Sequence, residues 1–135
     1  MTRFLGDTSA WNRSSGASDF WEGLLERNEL YLCSPVRLEL LYSARGNDEY
    51  ERVAWELGGL PNLALDRRTG SLAERTQLEL AGLGQHRGPT AVDLLVAAIA
   101  EVYGATVLHY DRHFDLIAQV TGQEAEWIAP PGSLD

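Results

Sequence analysis

The chain of 135 residues contains no lysine, so all eleven of its basic residues are arginine. A phosphate-binding P-loop requires a lysine within its motif. Phosphoryl-transfer sites built on a strand-end aspartate, as in receiver domains, also set a lysine against the phosphoryl group. The absence of lysine therefore argues against both classes.

Positive charge is scarce as well, because the formal net charge is −9 at neutral pH. A protein held on nucleic acid by a broad basic surface has the opposite balance. The excess of acids predicts either a basic partner or a site in which carboxylates hold a metal ion.

Cysteine and long apolar runs are also rare. The single cysteine, Cys33, has no partner for an internal disulfide, and its neighbours predict a buried strand residue rather than a nucleophile. A reducing cytosol is the expected compartment. No apolar run approaches the roughly 18 residues of a membrane span, and the first residues lack the apolar stretch of a secretion signal. We expect a cytoplasmic protein.

The length and the 44% hydrophobic content predict a single domain over residues 1–135. Short apolar runs alternate with helical stretches, which predicts an α/β fold with a central, mostly parallel sheet flanked by helices. Prolines and a glycine predict a loose tail over 129–135. The predicted strands cover 3–6, 30–33, 63–65, 106–110 and 126–128, and the predicted helices cover 18–29, 35–45, 48–57, 71–83, 91–103 and 111–120.

Four acidic residues fall close to the ends of these elements. Asp7 and Asp111 each follow a predicted strand, and Glu39 lies one turn into the helix after the second strand. Ligands of an open parallel sheet bind beyond the carboxyl ends of its strands, so these acids are expected to converge. Asp93, near the start of an otherwise apolar helix, is the fourth.

Each acid also has an ordinary structural explanation. Asp7 fits a cap or turn, Glu39 a solvent-facing helix position, and Asp93 the positive end of its helix, worth ~0.3–1 kcal/mol. Their joint placement favours a metal site, because Mg²⁺ binds a few carboxylates together with water and substrate phosphate. Two such ions hold the attacking and leaving oxygens of a phosphodiester displacement. Mutual repulsion should also raise the pKa of at least one of the carboxyls.

The sequence around these acids resembles the PIN-domain family, in particular VapC toxins of VapBC toxin–antitoxin pairs. The matching motifs, in order, are Asp7-Thr8-Ser9-Ala10, Pro35 with Glu39, Asp93 in the apolar run 91–100, and Tyr110-Asp111-Arg112-His113-Phe114-Asp115. Each is weak alone, but four in order from residue 7 to residue 114 form a specific pattern. One departure is His109, where family members often place threonine, serine or asparagine.

The resemblance implies a three-layer PIN-like fold and a Mg²⁺- or Mn²⁺-dependent endoribonuclease, the toxin of a type II toxin–antitoxin system. It implies a VapB-like antitoxin as partner and a homodimer, and it leaves tRNA, rRNA and mRNA open as substrates. It assigns Asp7, Glu39, Asp93 and Asp111 as catalytic, metal-binding acids, with Thr8, Ser9, Asp115 and Arg112 as peripheral or substrate contacts. The alternative is a non-catalytic PIN-like module that binds RNA or protein.

Two further groups of side chains have competing interpretations. His109, Asp111 and His113 alternate as zinc ligands do, but the strand is predicted to end near residue 110, so the three should not share a face. Trp11, Trp21, Trp55 and Trp127 are expected to fill the core or a subunit interface. Trp11, after the first motif, is the best placed of them for substrate. Arg13, like Arg112, lies beside a proposed metal acid and is a candidate phosphate contact.

Overall fold

The computed structural model describes residues 2–134; Met1 and Asp135 lie outside the described residues. Its centre is a four-stranded sheet in the order β2-β1-β3-β4. The strands are β1 (Phe4–Gly6), β2 (Leu30–Tyr31), β3 (Thr106–His109) and β4 (Ala125–Trp127). Each neighbouring pair is parallel, so the carboxyl ends of all four strands lie at one edge of the sheet.

Helices connect these strands. Within residues 2–134 they are α1 (Thr8–Trp11), a 3-10 helix (Ser14–Ala17), α2 (Ser18–Glu26), α3 (Ser34–Tyr42), α4 (Asn47–Leu57), α5 (Arg67–Gly82), α6 (Ala91–Val102) and α7 (His113–Thr121). None of these helices is long and apolar enough to cross a membrane.

The sheet separates two hydrophobic cores, because successive side chains of a strand point to opposite faces. Val107 belongs to the larger core with residues of α3, α5, α6 and α7, whereas its neighbour Leu108 belongs to the smaller core with Trp21 and Leu24 of α2. Helix layers therefore cover both faces of the sheet, which confirms the predicted three-layer α/β architecture.

Several predicted boundaries were wrong. The predicted strand 63–65 is a single bridge between Leu32 and Asn62, flanked by hydrogen bonds from Leu32 N–H to Pro61 and from Leu63 N–H to Leu32. Pairing stops there because the chain turns at once into the cap of α5. That helix begins at residue 67 rather than 71, since Asp66 caps it through the Thr69 amide.

Cys33 and the C-terminal tail each differ in detail from the prediction. Cys33 is fully buried, as predicted, although it lies at the N-cap of α3 rather than inside a strand, and burial raises the pKa of its thiol to about 11. The tail was predicted to be loose, but its described part is attached: the Leu134 amide donates to the Tyr110 hydroxyl at 2.9 Å, and the Leu134 side chain packs on the smaller core.

Candidate active site at the carboxyl edge of the sheet

Asp7 is fixed by the turn that leads from β1 into α1. It is the N-cap of α1, and its Oδ2 accepts hydrogen bonds from the Ser9 amide at 3.0 Å and the Ser9 hydroxyl at 2.6 Å. The Ser9 hydroxyl oxygen in turn accepts the Tyr110 amide at 2.9 Å. One serine therefore ties the first acid to the end of the neighbouring strand β3.

The environment of Asp7 disfavours its charge. Only 4% of the residue is exposed, and burial is the main reason that its pKa rises from 3.8 to about 6. The bonds from Ser9 oppose this rise, while the charges of Asp93 and Glu39 add to it. A raised carboxyl pKa was expected from repulsion; the structure confirms the direction but makes desolvation the larger cause. Asp93 and Glu39 therefore lie near enough for their charges to act on the Asp7 carboxyl.

Glu39 and Asp93 reach this place from two helices. The Thr8 hydroxyl donates to Glu39 Oε1 at 2.6 Å. Asp93 is the third residue of α6 and forms a capping box with Thr90: its Oδ2 accepts the Thr90 amide at 2.9 Å, and the Thr90 hydroxyl accepts the Asp93 amide at 3.2 Å. Asp7 and Asp93 therefore do have the capping roles that were considered as alternatives, and these roles fix the positions of their carboxylates.

Asp111 lies two residues beyond the end of β3. Its amide donates to His109 Nδ1 at 3.2 Å, and its Oδ1 accepts the His113 amide at 2.9 Å. The His113 ring joins it to the preceding group, because Nδ1 lies 3.0 Å from Asp93 Oδ2 and 3.5 Å from Asp111 Oδ1. One ligand atom from each of Asp93, Asp111 and His113 lies within 4.8 Å of the others, a spacing compatible with one metal ion.

His113 was absent from the predicted site residues. The signal for it was its spacing of two from Asp111, but the direction of a side chain at a helix start is not readable from spacing. His109, the other histidine of the motif, is fully buried and packs against Phe114 and Trp127. The structure thus separates the histidines of the zinc alternative, with His109 in the core and His113 at the acids.

The peripheral candidates fall into two groups. Thr8 and Ser9 orient Glu39 and Asp7 through the bonds above. Asp115 instead accepts the Trp127 indole N–H at 3.1 Å and, with exposed Arg112, lines a shallow groove on α7. Asp115 therefore stands beside the acid cluster rather than within it.

The tryptophans and Arg13 are distributed differently. Trp11 packs edge-to-face on Trp21 with ring centroids 4.8 Å apart, whereas Trp55 is 84% exposed. Arg13 lies over the Tyr110 ring at 4.6 Å and donates to the Ser9 carbonyl. Core packing thus accounts for the first two tryptophans.

The group of side chains that could hold one ion contains Asp93 and Asp111, whereas Asp7 and Glu39 lie outside it. Within residues 2–134, every hydrogen bond to the four acids uses one oxygen of each carboxylate: Asp7 Oδ2, Glu39 Oε1, Asp93 Oδ2 and Asp111 Oδ1. The second oxygen of each carboxylate takes no hydrogen bond from residues 2–134. Carboxylate oxygens of this kind are the ligands that hard divalent cations take.

An apolar groove of about 620 Å³ opens beside these acids. Thr8 and Glu39 form its polar side, and Leu38, Tyr42 and Leu65 are among its apolar lining residues. Leu38 is 66% exposed and Tyr42 is 91% exposed, which is unusual for side chains of this size beside a polar site.

Comparison with known proteins places this geometry in a family. The PIN domain model matches residues 5–120. Ribonuclease VapC18 of Mycobacterium tuberculosis is 39% identical, over 97% of this chain and 98% of its own length. Ribonuclease VapC51 of the same organism is 38% identical, over 98% of both chains.

Solved structures share the fold at lower identity. DNA-bound VapBC from Salmonella typhimurium superposes with a TM-score of 0.75 at 20% identity, covering 96% of this chain and 100% of that chain. VapBC2 from Rickettsia felis, bound to a promoter DNA fragment, also gives 0.75, at 16% identity and with 93% of this chain covered and 98% of that one. The chain therefore belongs to the PIN-domain family, in the branch of the VapC ribonucleases.

Proposed function

We propose that the protein is a metal-dependent endoribonuclease that acts as the toxin of a toxin–antitoxin pair, with Asp7, Glu39, Asp93 and Asp111 as its catalytic acids. The observation that carries the proposal is the convergence of these acids, from four distant segments, at one edge of a parallel sheet. Mg²⁺ or Mn²⁺ is the proposed cofactor. An RNA substrate and a buried, reduced Cys33 fit a cytoplasmic site of action.

The acids would hold the metal through the carboxylate oxygens that take no hydrogen bond from the described residues. When bound, the ion would supply Lewis acidity and lower the pKa of a coordinated water. The chain's own contribution is to fix the ligands in place: Ser9 orients Asp7, Thr8 orients Glu39, and Thr90 orients Asp93. Arg112 and Asp115 border the cluster, where Arg112 would bind an RNA phosphate.

The test is cleavage of structured RNA by pure protein with Mn²⁺ or Mg²⁺ and with EDTA. We expect EDTA and Asp93→Asn each to abolish cleavage, while Glu126→Gln, which removes an exposed carboxylate of β4, leaves it unchanged. Full activity in EDTA, or in Asp93→Asn, would refute the mechanism. Binding of RNA without cleavage under any metal would support the non-catalytic module instead.

We further propose that a VapB-like antitoxin inhibits the enzyme by placing a basic side chain among the acids. The net charge of −9 and the apolar groove that ends at Thr8 and Glu39 support a basic, amphipathic segment as the occupant. Co-purification with the protein encoded beside it, followed by an RNA cleavage assay, tests this. A neighbour that binds without reducing cleavage would contradict occupation of the active site.

A homodimer is the proposed oligomeric state. Besides the groove, Trp55 on α4 and Leu78 on α5 are 84% and 72% exposed, and large apolar side chains left in water are typical of subunit interfaces. Light scattering at several concentrations should give twice the mass of the chain, and a monomer throughout would refute the dimer.

A further inference from the structure

The imidazole of His113 occupies a position that the four-acid scheme leaves without a role. Its Nδ1 lies 3.0 Å from Asp93 Oδ2 and 3.5 Å from Asp111 Oδ1, and about a third of the side chain is exposed. The His113 amide also donates to Asp111 Oδ1 at 2.9 Å. Backbone and ring of one residue therefore contact the two acids that come from α6 and from the end of β3.

The geometry fits a metal ligand. Single ligand atoms of Asp93, Asp111 and His113 lie within 4.8 Å of one another. Within residues 2–134, the other oxygen of each aspartate takes no hydrogen bond.

The ligand types bear on which ion binds. Mg²⁺ takes oxygen ligands in strict octahedral geometry and keeps most of its water. A ring nitrogen instead favours first-row transition ions, whose affinity for a mixed nitrogen and oxygen site rises from Mn²⁺ to Co²⁺ to Ni²⁺. A site with two carboxylates and one imidazole should therefore discriminate against Mg²⁺.

We propose that His113 is a nitrogen ligand of the divalent ion held by Asp93 and Asp111, and that it makes the site select a transition ion such as Mn²⁺ over Mg²⁺. The inference rests on the proposed metal site and adds to it the ligand and the class of ion.

Calorimetric titration of the full chain with MnCl₂, CoCl₂ and MgCl₂ measures the selectivity. We expect Mn²⁺ to bind at least tenfold more tightly than Mg²⁺ and Co²⁺ more tightly than Mn²⁺. His113→Gln should weaken Mn²⁺ and Co²⁺ roughly tenfold or more while changing Mg²⁺ little, so that the selectivity is lost. His86→Gln, which removes an exposed imidazole from the turn before α6, is the matched control and should behave as wild type.

Pulsed electron paramagnetic resonance of bound Mn²⁺ gives an independent readout, because a coordinated imidazole adds nitrogen hyperfine coupling. We expect that coupling in wild type and in His86→Gln and its absence in His113→Gln. Thermal melting of each variant without metal verifies that it is folded.

Two results would overturn the inference. If His113→Gln binds Mn²⁺ as tightly as wild type or more tightly, the ring does not ligate the ion and the metal has to displace it. If the nitrogen coupling is unchanged in His113→Gln, another nitrogen is its source and His113 is not the ligand. Asp93→Asn separates this failure from that of the proposed function. If Asp93→Asn binds metal as tightly as wild type does, the proposed acid site is wrong. If Asp93→Asn loses binding while His113→Gln binds as wild type does, only the assignment of the nitrogen ligand is wrong.

Discussion

Asp7 combines a structural role as a helix cap with the proposed catalytic role, at a cost in stability. As an N-cap it satisfies the Ser9 amide, yet it is almost completely buried beside two other acids. Its pKa is raised from 3.8 to about 6, so keeping it ionised at neutral pH costs about 3 kcal/mol in the metal-free protein. A bound cation would remove this cost, which ties metal affinity to folding.

Asp7→Asn should therefore raise the melting temperature of the metal-free protein at pH 7 while abolishing RNA cleavage. Asparagine is as good an N-cap as aspartate, so the Ser9 amide keeps its acceptor. We expect a gain of about 1–3 kcal/mol, or roughly 3 °C for each kcal/mol in a chain of this size. Thermal scans in EDTA measure it.

The gain should depend on pH in a defined direction. A carboxyl with a raised pKa in the folded state destabilises above that pKa, and the penalty vanishes below the unfolded value. The advantage of Asp7→Asn should thus be full above about pH 6 and absent near pH 4. Glu126→Gln, at an exposed position, should show no gain at either pH. A lower melting temperature for Asp7→Asn at pH 7 would show that the charge-assisted bond from the Ser9 hydroxyl outweighs desolvation.

At the scale of elements, the caps decide where the acids stand. α6 is almost wholly apolar, and the Thr90–Asp93 capping box both begins the helix and sets Asp93 at its open end. A second capping box, formed by Asp66 and Thr69, begins α5 shortly after the bridge between Leu32 and Asn62.

Thr90→Ala is expected to destabilise the protein by about 1 kcal/mol, because the Asp93 amide loses its acceptor at the N-cap. The first turn of α6 should then fray, so that Mn²⁺ binds several-fold more weakly. Chemical denaturation and metal titration measure the two effects. Thr90→Ser retains the hydroxyl and should restore both, and metal affinity that is unaffected in Thr90→Ala would separate the cap from the site.

The sequence allowed the long elements to be predicted and missed the short ones. The apolar period of 91–103 and the run of strand-forming residues 106–110 identify α6 and β3 within two residues. α1 has only four residues and thus no readable period, and α5 was predicted to begin late because its capping box carries threonine at the position where glutamate or glutamine is the usual signal.

The same limit applies to the site. The acids were identifiable because four motifs recur in a fixed order, whereas their hydrogen bonds were not. Whether His109 or His113 faces the acids depends on where β3 ends and α7 begins. The chain puts that boundary between residues 109 and 113, so one ring enters the core and the other reaches Asp93 and Asp111.

For the whole molecule, the parallel sheet places the carboxyl ends of all four strands at one edge, and the four acids of the proposed metal site lie there. Two buried groups near this edge respond to pH in opposite senses. Burial lowers the pKa of His109 from 6.5 to about 4, against the opposing charges of Asp115 and Asp111, while it raises that of Asp7. The stability of the fold in mild acid is set in part by these two residues together.

We expect the contributions of His109 and Asp7 to the free energy of unfolding nearly to cancel between pH 4 and pH 6.5 in the metal-free protein. Below about pH 6.5 the unfolded chain protonates His109 and the folded protein does not, so His109 makes stability fall as the pH falls, by about 3 kcal/mol in total near pH 4. Over nearly the same range the folded protein takes up a proton at Asp7 that the unfolded chain does not, which makes stability rise by about 3 kcal/mol.

Chemical denaturation in EDTA at half-unit pH steps should therefore give opposite deviations from wild type for two variants. On acidification, Asp7→Asn should lose stability more steeply than wild type, and His109→Asn should lose it less steeply. Asparagine is a residue that the family resemblance places at position 109. The loss of ring packing on Phe114 and Trp127 lowers the absolute stability of His109→Asn but does not change this slope. Profiles that run parallel to wild type for both variants would show that neither group titrates as its burial requires.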